Sequence, residues 1–84
     1  MAKHIDQNEA RKAALKGLQV GQTEPSRETK GTWWEVYLFD GRLIACVLDP
    51  SLGVVCGEEI TETDIDLYCD NPVDAVASIA MASE

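Results

Sequence analysis

The sequence predicts an α+β domain, an antiparallel meander of three to four strands with one helix before it and one after it, in the order α-β-β-β-(β)-α. Three observations predict it. Thr32 to Asp40 alternates in the period of a strand and runs into Asp40-Gly41, a strong hairpin dipeptide. An apolar return strand follows directly. Each end of the chain carries a helix-start signature, Asp6 with Glu9 near the beginning and Asn71-Pro72 with Asp74 near the end.

The elements follow in order. Asp6 is a candidate N-cap, Glu9 its capping-box partner, and Ile5 can staple onto Ala10. The helix is expected to run through Ala13, Ala14, Leu15 and Leu18 and to stop near Gly21. Its apolar stripe is narrow and rich in alanine, and Gly17 weakens it by about 1 kcal/mol relative to alanine. Residues 21–31 lack an apolar anchor and read as a flexible connection between this helix and the sheet. In the first strand Trp34, Val36 and Leu38 share one face, and Trp33, Glu35, Tyr37 and Phe39 share the other. Arg42 to Leu48 returns, Asp49 to Gly53 turns, and Val54 to Ile60 forms a third strand with a bend at Gly57. Over Thr61 to Asp70, Ile65 and Leu67 alternate with acids. An extended segment is favoured there, with a single helical turn capped by Thr61 as the alternative. Asn71 then caps a terminal helix of about ten residues, with Pro72 at its first position. Val73, Val76, Ala77 and Ala80 are its expected core stripe, with Ile79 beside them.

Eighty-four residues, 45% of them hydrophobic, make a single domain over 1–84 with a small core. Cys46, Cys56 and Cys69 are an odd number, widely spaced and set in apolar runs. Buried free thiols in a reducing cytoplasm fit this better than a disulfide framework. No apolar run is long enough to cross a membrane, and the first residues lack the apolar centre of a signal peptide. The charge is divided unevenly. Residues 1–30 hold six bases and four acids, a net of +2, whereas residues 31–84 hold eleven acids and one base, Arg42, a net of −10. The densest stretch contains Glu58, Glu59, Glu62, Asp64, Asp66, Asp70 and Asp74 and no base. Such a field attracts basic surfaces and repels nucleic acid and anionic membranes.

The ordinary reading of this acidic run is a solvated face that keeps a small protein soluble. The functional reading gains from two facts. The acids lie on structured, apolar-punctuated segments, and no lysine or arginine interrupts them. Carboxylates at fixed spacing can imitate a row of phosphates and bind where arginine and lysine hold nucleic acid. Calcium does not fit: Asp64-x-Asp66 opens like an EF-hand loop, but Tyr68, Cys69 and Ala75 stand where an oxygen ligand, the glycine and the bidentate glutamate belong. Zinc lacks a C-x-x-C pair, and His4 is the single histidine. Catalysis lacks a nucleophile with a base beside it. No metal, cofactor or catalytic residue is therefore expected. Trp33, with Tyr37 and Phe39, offers a second candidate contact if its strand face is left open.

In size, in the single α/β domain, in the segment Tyr37-Leu38-Phe39-Asp40-Gly41-Arg42-Leu43-Ile44 with its following strand, and in the acid-rich Glu58 to Asp74, the chain resembles the small acidic anti-CRISPR inhibitors of phages that act as DNA mimics. The resemblance spans roughly residues 31–80 and carries over no catalytic or binding residue. It implies a non-enzymatic inhibitor in the cytoplasm of a bacterial host. The implied partner is a basic, nucleic-acid-binding host protein such as a CRISPR effector, with no direct contact to nucleic acid or membrane. The basic first helix departs from a uniformly acidic mimic and leaves a bipolar surface. The element order is also similar to that of double-stranded RNA-binding domains, but the last helix lacks their lysines. The competing expectation is a small structural or accessory subunit that forms a homodimer or larger oligomer through an apolar strand face.

Overall fold

In the computed structural model, which describes residues 3–83, a three-residue strand β1 (Lys3–Ile5) precedes helix α1 (Gln7–Lys16). The Asp6 carboxylate accepts a hydrogen bond from the Glu9 backbone N–H at 2.8 Å, so the helix starts where its cap requires. It ends at Gly17, earlier than the expected Gly21. The next five residues form strand β2 (Leu18–Gln22), which pairs with β3 (Trp33–Phe39) from Leu18↔Leu38 to Gln22↔Glu35. Sheet pairing here overrides helix propensity. The expected connection over 21–31 accordingly loses its first two residues to the sheet, and the sheet is reached directly from the helix.

Asp40 and Gly41 both take positive φ, 54° and 74°, as the expected hairpin turn demands. Strand β4 (Arg42–Asp49) returns beside β3, and β5 (Gly53–Ile60) beside β4. Strand β1 closes the other edge through Lys3↔Glu59 and Ile5↔Gly57. The result is an antiparallel five-stranded sheet in the order β1-β5-β4-β3-β2. The fold class is as expected, and the sheet is extended by one short strand at each edge.

Thr61 to Asp70 is not extended. Glu62–Leu67 forms a 3-10 helix, which turns Ile65 and Cys69 inward. Helix α2 (Pro72–Ala82) then starts as expected. The Asn71 side chain accepts from the Asp74 N–H at 3.3 Å, with Pro72 in the first turn.

The sheet lies between two layers. On one face Val20, Val36, Leu43, Ala45 and Ile60 pack with Ile65 and Cys69 and with Ala75 of α2, and Trp34, Leu38 and Ile79 flank them. On the other face Tyr37, Ile44, Cys46 and Val54 pack under Ala10 and Ala13 of α1. The strand faces are therefore as expected, with Trp34, Val36 and Leu38 on the α2 side. The helix stripes are not. α1 buries Ala10 and Ala13 and leaves Leu15 82% exposed. α2 buries Ala75 and half-buries Ile79, while Val73, Val76 and Ala80 face outward.

Close approach explains both corrections. A Cβ on Gly57 would lie 2.8 Å from the Ala10 Cβ, so α1 sits directly on β5 through its smallest side chain. A Cβ on Gly21 would lie 3.3 Å from the Ala75 Cβ, so α2 approaches β2 in the same way. The helices meet the sheet alanine to glycine, and the larger apolar residues turn away.

Candidate partner-binding surface

The acidic run is distributed over three places. Glu58 and Glu59 are neighbours on β5 and point to opposite faces. Glu58 lies on the α2 side, half-buried, where its carboxylate accepts from the Tyr68 hydroxyl at 2.8 Å. Glu59 lies on the α1 side and pairs with Arg42 at 3.2 Å, and Arg42 also reaches Glu9 at 3.7 Å. Glu59 is thus separated by the sheet from Glu58 and shares the Arg42 guanidinium with Glu9.

The remaining five, Glu62, Asp64, Asp66, Asp70 and Asp74, all belong to the layer built by the 3-10 helix and α2. Glu62 and Asp66 are exposed on the 3-10 helix. Asp64 accepts from the Thr61 hydroxyl at 3.2 Å. Asp70 is an organising residue: its N–H donates to the Gln22 carbonyl at 2.9 Å and its carboxylate accepts from the Glu24 N–H at 2.9 Å. It ties this layer to the end of β2. Asp74 accepts from the Asn71 side-chain amide at 2.7 Å and sits in the first turn of α2, where a negative charge is favoured. No lysine or arginine occurs after Arg42, so residues 61–83 contribute no basic side chain to this layer. The exposed bases Arg11, Lys12 and Lys16 project from α1, on the far side of the sheet.

Trp33 is not part of this surface. It lies on the α1 face, half-buried, and its indole N–H donates to Glu35 at 2.7 Å. Tyr37 donates its hydroxyl to the other oxygen of the same carboxylate and is buried beneath α1. The expected aromatic face is not open as a whole, because Tyr37 and Phe39 pack into the cluster under α1 and Trp33 alone of the three lies outside it.

These polar groups are held in their protonated forms. Burial first, and Glu35 second, raises the Tyr37 hydroxyl far above its ordinary value. Burial, with Glu35 nearby, pushes the Cys46 thiol up to about 12. A hydroxyl and a thiol kept neutral in this way are poor nucleophiles and poor bases. Cys46 and Cys56 point to opposite faces of the sheet, as their partners Gly57 and Val47 show, so they form no thiol pair. Cys56 is exposed, against the expectation that all three thiols are buried. Among the described residues no group of three or more His, Cys, Asp or Glu is arranged to hold a metal ion. No described helix is long and apolar enough to cross a membrane.

Sequence reasoning missed the outer face of α2. Val73 is 77% exposed and Met81 74%, with Val76 and Ala80 between them, and Leu67 of the 3-10 helix is 69% exposed. The signal was present, since Pro72–Ala82 is apolar nearly all round, with Asp74 its single charge. The apolar residues of α2 form two sides, and the side of Ala75 and Ile79 is the one that enters the core. Comparison with protein-family models, with curated proteins and with solved structures finds no match to this chain.

Proposed function

We propose that the protein is a non-enzymatic inhibitor that binds a basic, nucleic-acid-binding host protein through the layer formed by residues 61–83. In the form the sequence resemblance suggests, it is a phage anti-CRISPR protein acting in the bacterial cytoplasm on a CRISPR effector. One observation carries this reading: Glu62, Asp66, Asp70 and Asp74 lie in one layer, residues 61–83 contribute no lysine or arginine to it, and the helical bases lie across the sheet. A concentration of like charge of this kind costs stability in a small domain, and binding a basic groove would offset that cost. The competing reading, an oligomer joined through an apolar strand face, loses support because both sheet faces are covered by helices.

The test is binding of purified CRISPR effectors to the immobilised protein at 0.1 M and 0.5 M salt. Steering between exposed charges is screened within about 10 Å at 0.1 M salt, so association should slow several-fold at the higher concentration. Glu62→Lys with Asp66→Lys, both exposed and neither capping a helix, should abolish binding and leave the circular dichroism spectrum unchanged. Binding by this variant equal to that of the unaltered protein contradicts the proposal.

A further inference from the structure

We infer that the outer stripe of α2 is an apolar docking strip within the acidic surface, and that its occupant is a basic amphipathic helix of the partner protein. This deepens the proposed function and rests on it. Val73, Val76 and Met81 lie exposed along α2, with Leu67 exposed on the preceding 3-10 helix. Asp74 stands in the first turn of α2, Asp66 and Asp70 lie in the segment that leads into it, and residues 61–83 hold no lysine or arginine. A helix that is apolar on both sides is normally covered on both. The sheet covers the side of Ala75 and Ile79, which leaves the side of Val73 and Val76 for a partner.

Charge selects that partner. With a second copy, every twofold pairing of α2 on α2 sets negative against negative: an axis along the helices brings the two Asp74 side chains together, and an axis across them lays the helices antiparallel. Each Asp74 would then approach the carbonyl end of the opposite helix, whose last turn contains no basic residue. Negative charge meeting the negative end of a helix dipole opposes that arrangement. A helix with apolar residues at i, i+3, i+4 and i+7, flanked by lysine or arginine, satisfies both features: its stripe covers Val73, Val76 and Met81, and its bases meet the acids and the carbonyl end of α2. Binding should then have two parts, an acid-driven association that salt weakens and an apolar contact that salt leaves intact.

The experiment uses the full chain and a synthetic helical peptide of leucine and lysine with leucines at those spacings. Two control peptides are a scramble of the same composition and a version with glutamate in place of lysine. Titration calorimetry should show binding of the patterned lysine peptide and at least roughly tenfold weaker binding of both controls. The Val73→Ser, Val76→Ser, Met81→Ser variant should bind roughly tenfold more weakly with its salt dependence unchanged. Amide exchange on the unaltered protein should show α2 protected by the peptide, which checks the site without any substitution. If the serine variant binds normally while Glu62→Lys with Asp66→Lys does not, the docking strip is wrong and the acidic surface stands. If neither variant loses binding, both are wrong. Self-association of the unaltered protein with protection of α2 would overturn the assigned occupant.

Discussion

At the scale of single residues, the protein separates side chains that look alike in the sequence. Cys56 is exposed on β5, whereas Cys46 lies under α1 and Cys69 under α2. A thiol reagent at neutral pH should therefore modify one cysteine quickly and the other two only as fast as the protein unfolds. Rapid labelling of all three by mass spectrometry would contradict the packing. The adjacent tryptophans differ as well. Trp34 lies edge-on to Tyr68 with ring centroids 4.7 Å apart and flanks the buried cluster, whereas Trp33 holds Glu35 at the surface of the opposite layer. Trp34→Ala should cost about 3 kcal/mol in denaturant unfolding, and Trp33→Ala clearly less. The reverse order would mean that the two faces of β3 are exchanged.

At the scale of elements, the glycine contacts set the layer spacing. Gly57→Ala should destabilise the domain by about 1–3 kcal/mol, because its new Cβ would meet Ala10 at 2.8 Å with helix backbone behind it. Ala10→Gly alone should cost about 1 kcal/mol through helix propensity. Combined, the two should cost less than their sum, since the second substitution removes the clash made by the first. Additive losses in chemical denaturation would show that α1 does not rest on β5 at this point. These contacts also explain what was legible. The hairpin, both helix caps and the two faces of β3 could be read from Trp33 to Gly41, Asp6, and Asn71 to Asp74, because those signals are local. Strand β2 could not, because a register shift at Val20 breaks its alternation and its partner is distant in sequence. The 3-10 helix hid behind an alternation of Ile65 and Leu67 that mimics a strand, and with Ile65 its single buried residue it carries no helical period to read. The acidic surface was legible as a charge run. Its division by the sheet was legible only in part, because alternation along β5 already separates Glu58 from Glu59, whereas the pairing of Glu59 with Arg42 depends on tertiary register.

At the scale of the whole molecule, stability and function should respond to pH and salt in different ways. Burial, with Glu58 as the second cause, pushes the Tyr68 hydroxyl up to about 12, and the Cys46 thiol is pushed up to about 12 from an ordinary value of 9.0. Tyr37 shifts in the same direction. Groups whose values rise on folding contribute stability that is complete below their unfolded values and is lost as pH climbs through their folded ones. The urea midpoint should thus hold to about pH 9 and fall towards pH 12, with a shallower fall in Tyr37→Phe. An unchanged midpoint from pH 8 to 11 would contradict the burial of these groups. In the proposed function it is the acidic layer that governs binding. Its central claim is tested most directly by displacement: a fluorescently labelled nucleic acid is held by a CRISPR effector, and the protein is titrated in at 0.1 M salt. The account predicts release of the nucleic acid by the unaltered protein, and none by Glu62→Lys with Asp66→Lys. Nucleic acid that stays bound while the protein also binds, or equal release by the charge-reversed variant, would contradict it.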